Sequence, residues 1–277
     1  MSVEPLRVLD EQAGLPLLAL PAELQRLYGG GIGFDGPCVF ANFVETIDGV
    51  VAMPDIERSN AIVSDESDAD RFVMGLLRAL ADVVVVGSGT MLAAAKGTWW
   101  ADKVFPPAAE VFAELRRELG KSEHPAVAIV TAGGSFDPTH PVLETGAVVL
   151  TTERAAADIR ASVPGATEVV AVNAGDWVDP VGAIAELRAR GHDLVLSEGG
   201  PTLFTALLAA AQVDELFLTV SPLLAGRAGT PRLSLADGAE LLPDLRVAGD
   251  LLSIRRHGSH LFLRYRLTSR RARVRPS

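Results

Sequence analysis

The sequence predicts an α/β protein with a mostly parallel central sheet, helices on both faces and an antiparallel hairpin at its C-terminal end. Apolar, Val-rich runs of strand length alternate with segments of helical periodicity along most of the chain. Aromatic residues make up only 5% of the 277 residues although 48% are hydrophobic. Val, Leu, Ile and Ala must therefore form the core, as is usual in parallel sheets covered by helices. Near the end, two strand-like runs, 251–256 and 261–267, flank a polar turn and indicate the hairpin.

The predicted elements follow one another in a regular order. The first 36 residues predict an irregular N-terminal arm with one short helix, 21–28, and a glycine-rich stretch, 29–36. The strands predicted beyond the arm are residues 38–46, 82–86, 126–130, 147–150, 168–172, 193–197 and 215–220. The helices predicted between them are residues 67–80, 91–96, 108–119, 181–190 and 201–211.

Local signals support these assignments. Val83 to Val86 are four consecutive valines, which suits a strand buried on both faces. Gly191 suits the left-handed cap that ends the helix before it. No repeat or long low-complexity linker interrupts the alternation, so we expect one domain over residues 37–268, followed by a basic flexible tail, 269–277.

Charge and cysteine content exclude several classes of function. The formal net charge of −10 argues against a general nucleic-acid binder, which must neutralise phosphates. No apolar run reaches the roughly 20 residues that a membrane span needs. The single cysteine, Cys38, excludes an internal disulfide, and no Cys/His spacing resembles a zinc site. We expect a metal-free, soluble protein in the cytoplasm, with Cys38 buried in a strand.

One glycine motif is misleading. Residues 31–36 match the pattern Gly-x-Gly-x-x-Gly of dinucleotide-binding loops. Such a loop must follow a strand and open a helix, whereas here a glycine-rich arm precedes the motif and Pro37 with a strand follows it. The motif predicts a turn.

A better candidate for phosphate binding follows the strand at residues 193–197. Two glycines end this strand and an Ala/Leu-rich helix begins directly after them, so free backbone N–H groups and the positive end of the helix dipole would meet an anion. An ordinary strand-to-helix turn would look the same. Glu198 would repel a phosphate unless it faces elsewhere, which makes it a candidate substrate contact. The cofactor candidates in this loop are Gly199, Gly200, Pro201, Thr202, Leu203 and Phe204.

Further strand ends carry the same kind of residues. Gly87, Ser88, Gly89 and Thr90 follow the valine run, and two such loops from one sheet could bind the two halves of a dinucleotide. Hydroxyl groups also follow the strands that end near Thr131 and Thr152, and Arg154 comes next. These groups are candidate partners for the 2′-phosphate of NADPH, with turn or capping hydroxyls as the alternative.

Together these motifs resemble the reductase domain of bifunctional riboflavin-biosynthesis deaminase–reductases, which has a three-layer, dihydrofolate-reductase-like fold. The resemblance covers about residues 38–267. Its motifs are residues 42–49, 77–90, 198–202, 213–216 and 221–227. The zinc deaminase half of that family needs a His/Cys/Cys cluster, which one cysteine cannot supply. The resemblance therefore implies a reductase that stands alone.

The resemblance also implies a reaction and the residues that carry it. The family reduces 5-amino-6-(5-phosphoribosylamino)uracil with NADPH, by hydride transfer to the ribose C1′ of an open-chain imine. By position, Thr90, Thr131 and the helix start from Gly200 would hold the cofactor, and Ser59, Arg78 and Glu198 the substrate. Asp48 and Glu198 are the candidates for catalysis, although Asp48 fits better as part of the site floor. A homodimer is implied, without nucleic acid or membrane.

Several positions depart from the family's pattern. Ala94 and Ala95 replace an aspartate pair, Ala61 replaces an aromatic residue, and Glu45 stands where a small residue is usual. Two other functions therefore remain open: reduction of dihydrofolate, another pterin or a different small heterocycle, and nucleotide binding without catalysis. Arg78 could also belong to an ion pair on a helix surface.

Overall fold

The computed structural model describes residues 3–271, with side chains up to Ser269. Its strands are β1 Arg7–Glu11, β2 Cys38–Glu45, β3 Val83–Gly87, β4 Ala126–Val130, β5 Val148–Thr152, β6 Glu168–Asn173, β7 Leu194–Ser197, β8 Glu215–Val220, β9 Leu245–His257 and β10 His260–Arg271. Its helices are α1 Ala22–Tyr28, α2 Ser59–Val63, α3 Asp68–Leu80, α4 Ser88–Ala93, α5 Ala101–Val104, α6 Ala109–Glu118, α7 Glu153–Ser162, α8 Pro180–Ala189 and α9 Pro201–Ala209. No helix in this part of the chain combines the length and apolar character needed to cross a membrane.

All ten strands form one sheet in the order β1-β9-β10-β8-β2-β7-β3-β4-β5-β6. The seven strands from β8 to β6 in this order run parallel, while β10, β9 and β1 pair antiparallel at the other end. The predicted fold class, a mostly parallel sheet with an antiparallel hairpin, is therefore confirmed.

Two apolar layers cover the parallel part of the sheet. Alternate residues of β3 serve opposite layers, since Val84 and Val86 pack with α3 and α6 while Val83 and Val85 pack with α8 and α9. Because both faces are buried, these strands have few polar residues, which is why their sequence shows continuous apolar runs rather than alternation.

Helix α3 has defined ends that fix its place beside the sheet. At its start, the Ser67 hydroxyl accepts the Asp70 N–H at 3.2 Å, which is the usual cap of a helix N-terminus. Near its end, the buried Arg116 guanidinium donates to the carbonyls of Ala79 at 3.1 Å and Ala81 at 2.8 Å. These bonds satisfy carbonyl groups at the end of the helix, where intrahelical donors run out.

The N-terminal arm contains a strand that its sequence did not predict. β1 pairs with β9, although every one of its side chains is exposed. The buried Arg255 guanidinium of β9 donates to Tyr28 O at 2.9 Å and to the Glu11 carboxylate at 2.5 Å. It also lies 4.0 Å from the centre of the Tyr28 ring. The arm is therefore joined to the same sheet as the predicted domain.

Other differences concern lengths and short helices. α2, α5 and α7 were not predicted, and β9 and β10 are longer than the predicted hairpin strands. Residues 269–271 of the predicted tail complete β10, and residues 272–277 lie outside the described residues. The glycine motif at residues 31–36 forms a loop that leads to the amino end of β2, where Gly33 O accepts a hydrogen bond of 2.6 Å from Arg264.

Candidate functional site

Most of the residues predicted for the site lie where parallel strands end. Open α/β sheets bind ligands at this edge, because the loops that follow neighbouring strands meet there. Asp48 follows β2, Gly87 to Thr90 follow the valines of β3, Thr131 follows β4, and Glu198 to Leu203 follow β7. Ser59 and Arg78 belong to α2 and α3.

The two predicted glycine loops lie against each other. A Cβ atom built on Gly200 would have Thr90 Oγ1, at 3.8 Å, as its nearest neighbour. A Cβ atom on Gly87 would lie 3.9 Å from Leu203 Cβ. The order β7-β3 in the sheet explains this contact, since the loops after adjacent parallel strands are neighbours.

The two glycines before α9 have different roles. A Cβ atom on Gly199 would approach Leu203 Cδ2 to 2.5 Å, so a larger residue here would force the Leu203 side chain to move. A Cβ atom on Gly200 would make only an ordinary van der Waals contact, with Thr90 Oγ1, so this position tolerates a small side chain. No side chain caps the first turn of this nine-residue helix, and Thr202 is exposed there. The loop can therefore accept an anion at the helix N-terminus.

The ring and the backbone N–H of Phe204 both make contacts within the protein. Its ring is buried and lies 4.8 Å from the ring of Phe43, centre to centre. Its backbone N–H donates to Gly200 O at 3.1 Å, as part of the first helical turn. We therefore leave Phe204 out of the candidate cofactor contacts.

Thr131 and Thr152 shape the loops at the ends of β4 and β5. The buried Thr131 hydroxyl accepts the Gly134 N–H at 3.0 Å. The Thr152 hydroxyl donates to Ala132 O at 3.3 Å. Arg154 lies on the first turn of α7 and forms an exposed ion pair of 3.2 Å with Asp176. Each hydroxyl thus makes one bond within the protein, and the cofactor contact of Thr131 stays a prediction.

Arg78 and Glu198 form a largely buried ion pair, although they lie 120 residues apart in the sequence. Arg78 Nε donates to Glu198 Oε1 at 2.9 Å and Nη2 donates to Oε2 at 2.6 Å, while the two side chains are only 11% and 8% exposed. The Arg78 guanidinium compensates the charge of the Glu198 carboxylate, which is why this carboxylate can lie beside a candidate phosphate loop. Arg78 is not part of a surface ion pair.

Asp48 connects two loops. Its carboxylate accepts hydrogen bonds from the Thr46 hydroxyl at 2.5 Å, from Ala225 N at 3.0 Å and from Gly226 N at 2.8 Å. These bonds, the one from Thr46 first among them, lower the pKa of Asp48 to about 2. Asp48 is therefore ionised at neutral pH and carries no proton to donate. Its partners favour a structural role at the site floor.

Ser59 begins α2 in a segment that covers the end of β2. Its hydroxyl accepts the Met53 N–H at 2.7 Å. Met53 and Val63 pack with Val44 of β2 and Val50 in a small apolar cluster. This packing fixes the segment from Val50 to Val63 over the same end of the sheet as Asp48.

Sequence reasoning missed a buried acid, Asp70, in the first turn of α3. Burial raises its pKa to about 6, opposed by a hydrogen bond from the Thr219 hydroxyl and by the charge of His260. Glu198 is close enough to raise the pKa further. In the sequence, Asp70 stands in the acidic run Asp65 to Asp70, which resembles a solvated helix start. In the sequence, only the helical spacing of apolar residues in α3 indicated that Asp70 lies on the buried face of this helix.

Glu45 and Ala94, two of the unusual positions, also have defined places. Glu45 ends β2, and burial raises the pKa of its half-buried carboxyl group. It stands on the same sheet face as Phe43, the face that α9 covers. Ala94 follows α4, and its carbonyl lies 2.9 Å from His140 Nε2.

Comparison with known proteins agrees with this architecture. A curated relative from Archaeoglobus fulgidus, 2,5-diamino-6-ribosylamino-4(3H)-pyrimidinone 5′-phosphate reductase, is 26% identical over 212 residues, which cover 76% of this chain and 91% of the relative. Among solved structures, a pyrimidine reductase-like protein from Corynebacterium diphtheriae is 21% identical with a TM-score of 0.66, covering 84% of this chain and 92% of that one. The riboflavin biosynthesis reductase Rib7 of Saccharomyces cerevisiae is 16% identical with a TM-score of 0.56, covering 87% and 94%. At these identities, the two structures show a shared fold.

The family assignment comes from a match over most of the chain. The profile of the RibD C-terminal domain matches residues 37–258. This range begins directly before β2 and ends at the turn between β9 and β10, so it includes both glycine loops and the Arg78–Glu198 pair. The chain belongs to the RibD C-terminal domain family.

Proposed function

We propose that the protein is a riboflavin-pathway reductase that uses NADPH to reduce the ribose carbon of a ribosylaminopyrimidine 5′-phosphate. The observation that carries the proposal is the contact between the loops at Thr90 and Gly200, beside the buried Arg78–Glu198 pair. Family membership and the reductase activity named for the Archaeoglobus fulgidus relative support it.

We place the dinucleotide at the loop before α9, where a Cβ atom on Gly200 would meet only Thr90 Oγ1 at 3.8 Å. Free N–H groups at the start of α9 would hold a phosphate of the cofactor, and Thr90 would bound the same space from the other loop. Gly87, Ser88, Gly89, Gly199, Pro201, Thr202 and Leu203 would shape the cleft around it. Thr131 and Arg154, at the ends of β4 and β5, would lie toward the adenosine and favour NADPH over NADH. When bound, the nicotinamide supplies the hydride.

The protein's own contribution is orientation. Ser59, Arg78 and Glu198 would position the substrate, and Asp48 would keep the floor of the cleft in place through its bonds to Ala225 and Gly226. Hydride transfer to the C1′ carbon of an imine depends more on such placement than on a strong acid or base.

Residues 37–268 would form the catalytic unit, with β1 attached to its sheet. We also propose that the protein is a homodimer and is located in the cytoplasm. Light scattering on the purified chain tests the dimer. Reduction of dihydrofolate or another small heterocycle is the second candidate, motivated by the acidic residue Glu45 and by Ala61 and Ala94. The same positions motivate the third candidate, nucleotide binding without turnover.

Titration and turnover separate these candidates. NADPH binding is followed by nicotinamide fluorescence, and oxidation by loss of nicotinamide absorbance with the ribosylaminopyrimidine 5′-phosphates or with dihydrofolate. We expect micromolar NADPH binding and turnover with a pyrimidine phosphate. NADPH binding without turnover of any substrate would support nucleotide binding without catalysis. Turnover with dihydrofolate alone would support the second candidate, a dihydrofolate reductase. Failure to bind NADPH would reject both enzymes.

Arg78→Ala tests the substrate side of the site. We expect a KM for the phosphorylated substrate at least tenfold higher, on the order of 1.4 kcal/mol of lost binding, and a smaller loss of NADPH affinity, because Glu198 then lacks its counter-charge beside the phosphate loop. Arg71→Ala, on the same helix and paired with Asp68 at the surface, is the control. Equal losses for substrate and cofactor would remove Arg78 from the substrate contacts.

A further inference from the structure

Trp177 leaves most of a large apolar side chain in water. The residue is 79% exposed, the highest fraction among the large apolar residues at the surface of the described part of the chain. Trp99 and Trp100, in contrast, have ring partners in His140 and His124. Among the side chains that the structure describes, no aromatic ring or cation stacks on Trp177. A free indole of this kind is a contact surface that cofactor sites and interfaces use.

The loop that carries Trp177 is held in place through its backbone. Asn173 Nδ2 donates to Trp177 O at 2.9 Å, and Asn173 Oδ1 accepts the Asp179 N–H at 3.0 Å. The Asp179 carboxylate accepts the N–H groups of Val181 and Gly182, both at 3.1 Å, and so caps α8. The backbone is therefore fixed although the ring is free. A ligand that binds the ring has only the side-chain rotation of Trp177 to restrict.

Trp177 lies at the same edge of the sheet as the candidate cofactor loops. Its loop follows β6, which pairs with β5 at the end of the parallel part of the sheet. An ion pair of 3.2 Å joins Asp176 to Arg154 at the start of α7. The Thr152 hydroxyl, just before this helix, donates to Ala132 O in the loop after β4. Contacts therefore connect the Trp177 loop to the loops that follow β5 and β4.

The spacing of the strands suits the adenosine half of a dinucleotide. Neighbouring strands are about 4.8 Å apart, so β6 lies about 14 Å from β3 across β4 and β5. With a cofactor phosphate at Gly200, between the ends of β7 and β3, the ribose and the adenine would extend over the ends of β4 and β5. The adenine would then lie within reach of a tryptophan side chain on the next loop.

The surroundings of Trp177 favour a single flat base over a protein partner. An interface anchor is normally surrounded by further contacts that exclude water. The exposed residues beside Trp177 in its loop are instead small or acidic: Ala174, Gly175, Asp176 and Asp179. A purine needs only the face of the ring, because each base presents a flat π surface for stacking.

We propose that Trp177 stacks on the adenine ring of the bound dinucleotide and strengthens binding of the adenosine half of the cofactor. The inference rests on the proposed function, since it needs a dinucleotide in the cleft. It extends the cofactor site to the loop of residues 173–179, beyond the ends of β4 and β5. NADPH and NADH both carry adenine, so Trp177 would add affinity for both and would not select between them.

The test uses ligands with and without adenine on the full chain. Wild type and Trp177→Ala are titrated with NADPH, with adenosine 2′,5′-bisphosphate and with reduced nicotinamide mononucleotide. We expect the variant to have a Kd about tenfold higher for the first two, because stacking of one base contributes about this much, and an unchanged Kd for the third. Trp177→Phe, which keeps an aromatic face, should retain most of the affinity. Leu17→Ala, which shortens a 64% exposed side chain of the N-terminal arm, is the control.

Tryptophan fluorescence provides a readout that does not depend on affinity. Adenosine 2′,5′-bisphosphate should quench the emission of wild type at saturation, and Trp177→Phe should lose this quenching. An unchanged Kd for NADPH in Trp177→Ala, or an equal loss for reduced nicotinamide mononucleotide, overturns the inference and leaves the proposed function standing. A changed mass of Trp177→Ala in light scattering with unchanged NADPH affinity overturns it in favour of a protein contact. Failure of wild type to bind NADPH rejects the proposed function and the inference with it.

Discussion

At the scale of single residues, two carboxyl groups that are largely withdrawn from solvent have different surroundings. Glu198 has a guanidinium at hydrogen-bonding distance through two nitrogens, which compensates the loss of water around its charge. Asp70 has one hydroxyl partner, and burial raises its pKa instead. The first arrangement gives the carboxylate a counter-charge inside the protein. The second makes ionisation costly.

This difference predicts a pH-dependent stability for the free protein. The pKa of Asp70 is raised from 3.8 to about 6 in the fold. The folded chain therefore holds this proton more tightly than the unfolded chain, so the stability that Asp70 contributes is present below pH 3.8 and is lost as pH rises through 6. Asp70→Asn should raise the free energy of unfolding at pH 8 by on the order of 2–3 kcal/mol.

Urea unfolding at pH 8 and at pH 4 measures this effect. At pH 4 the aspartate is largely protonated in the fold, so the substitution should change stability much less there. Asp68→Asn, at the exposed start of α3, should show no comparable gain at pH 8. A stability gain from Asp70→Asn that is the same at both pH values would contradict the raised pKa.

Residues of the candidate site could be predicted only where they belong to a sequence motif. The chain segment around Gly199 and Gly200 indicated a phosphate loop, and Arg78 and Glu198 came from the family resemblance. The pairing of Arg78 with Glu198 and the burial of Asp70 could not be predicted. Both depend on contacts between distant parts of the chain, for which single-sequence periodicity has no signal.

At the scale of elements, the loops after β3 and β7 act as one unit because their strands are neighbours. The backbone of Gly200 has φ −66° and ψ 175°, which any residue adopts, and a Cβ atom there meets only Thr90 Oγ1 at 3.8 Å. Glycine at this position is thus not required by the protein itself. The space it leaves open is available to a ligand.

Gly200→Ala should therefore weaken NADPH binding without unfolding the protein. We expect a Kd at least about tenfold higher, because the added methyl group occupies the space next to the first turn of α9. Fluorescence titration measures the affinity, and a thermal melt checks the fold. Gly165→Ala, at a position with open space around it and outside the cleft, is the control. Unchanged affinity in Gly200→Ala would refute this position as a phosphate contact.

Helices and strands could be predicted from the sequence where they are well buried. Strands β4 and β8 occur at the predicted residues because both of their faces pack against helices or loops, and continuous apolar runs mark them. β1 was missed because all its side chains are exposed and only its pairing with β9 makes it a strand. α7 was missed because its ten residues bury only Ala156 and Ile159 completely, which leaves a weak helical pattern.

At the scale of the whole molecule, buried arginines join the antiparallel end of the sheet to the rest of the protein. Arg255 connects β9 with Glu11 and Tyr28, and Arg264 of β10 pairs with Glu215 of β8 at 2.7 Å. Arg264 is also within 5.2 Å of the ring centres of Phe34 and Phe217. The N-terminal arm therefore contributes to the stability of the sheet.

Glu11→Gln tests this contribution. The substitution keeps the shape of the side chain but leaves the Arg255 guanidinium, which is 1% exposed, without its carboxylate. We expect the free energy of unfolding to fall by about 1–3 kcal/mol. Glu4→Gln, an exposed change in the same arm, should have little effect. Equal stability of the Glu11 variant and wild type in chemical unfolding would show that the Glu11–Arg255 ion pair does not stabilise the sheet.

The fold class could be predicted from the whole sequence, whereas the order of the strands could not. Alternating strands and helices indicate a parallel sheet, and the final polar turn indicates a hairpin. Nothing in the sequence places β7 between β2 and β3, or β10 beside β8. Such neighbours are chosen by packing across the entire chain.

The central place of β7 has a kinetic consequence. β7 fills the gap between β2 and β3, yet it follows β6 in the chain, so its pairing partners Cys38 to Ala41 and Val83 to Val85 are synthesised more than a hundred residues earlier. Pairings between such distant segments slow folding, because a long loop has to close before any contact is gained. An incomplete sheet with exposed edges at β2 and β3 should therefore precede the native state. In the proposed site NADPH contacts the loops of both β3 and β7, so it would bind only after this step and would draw the equilibrium toward the completed sheet.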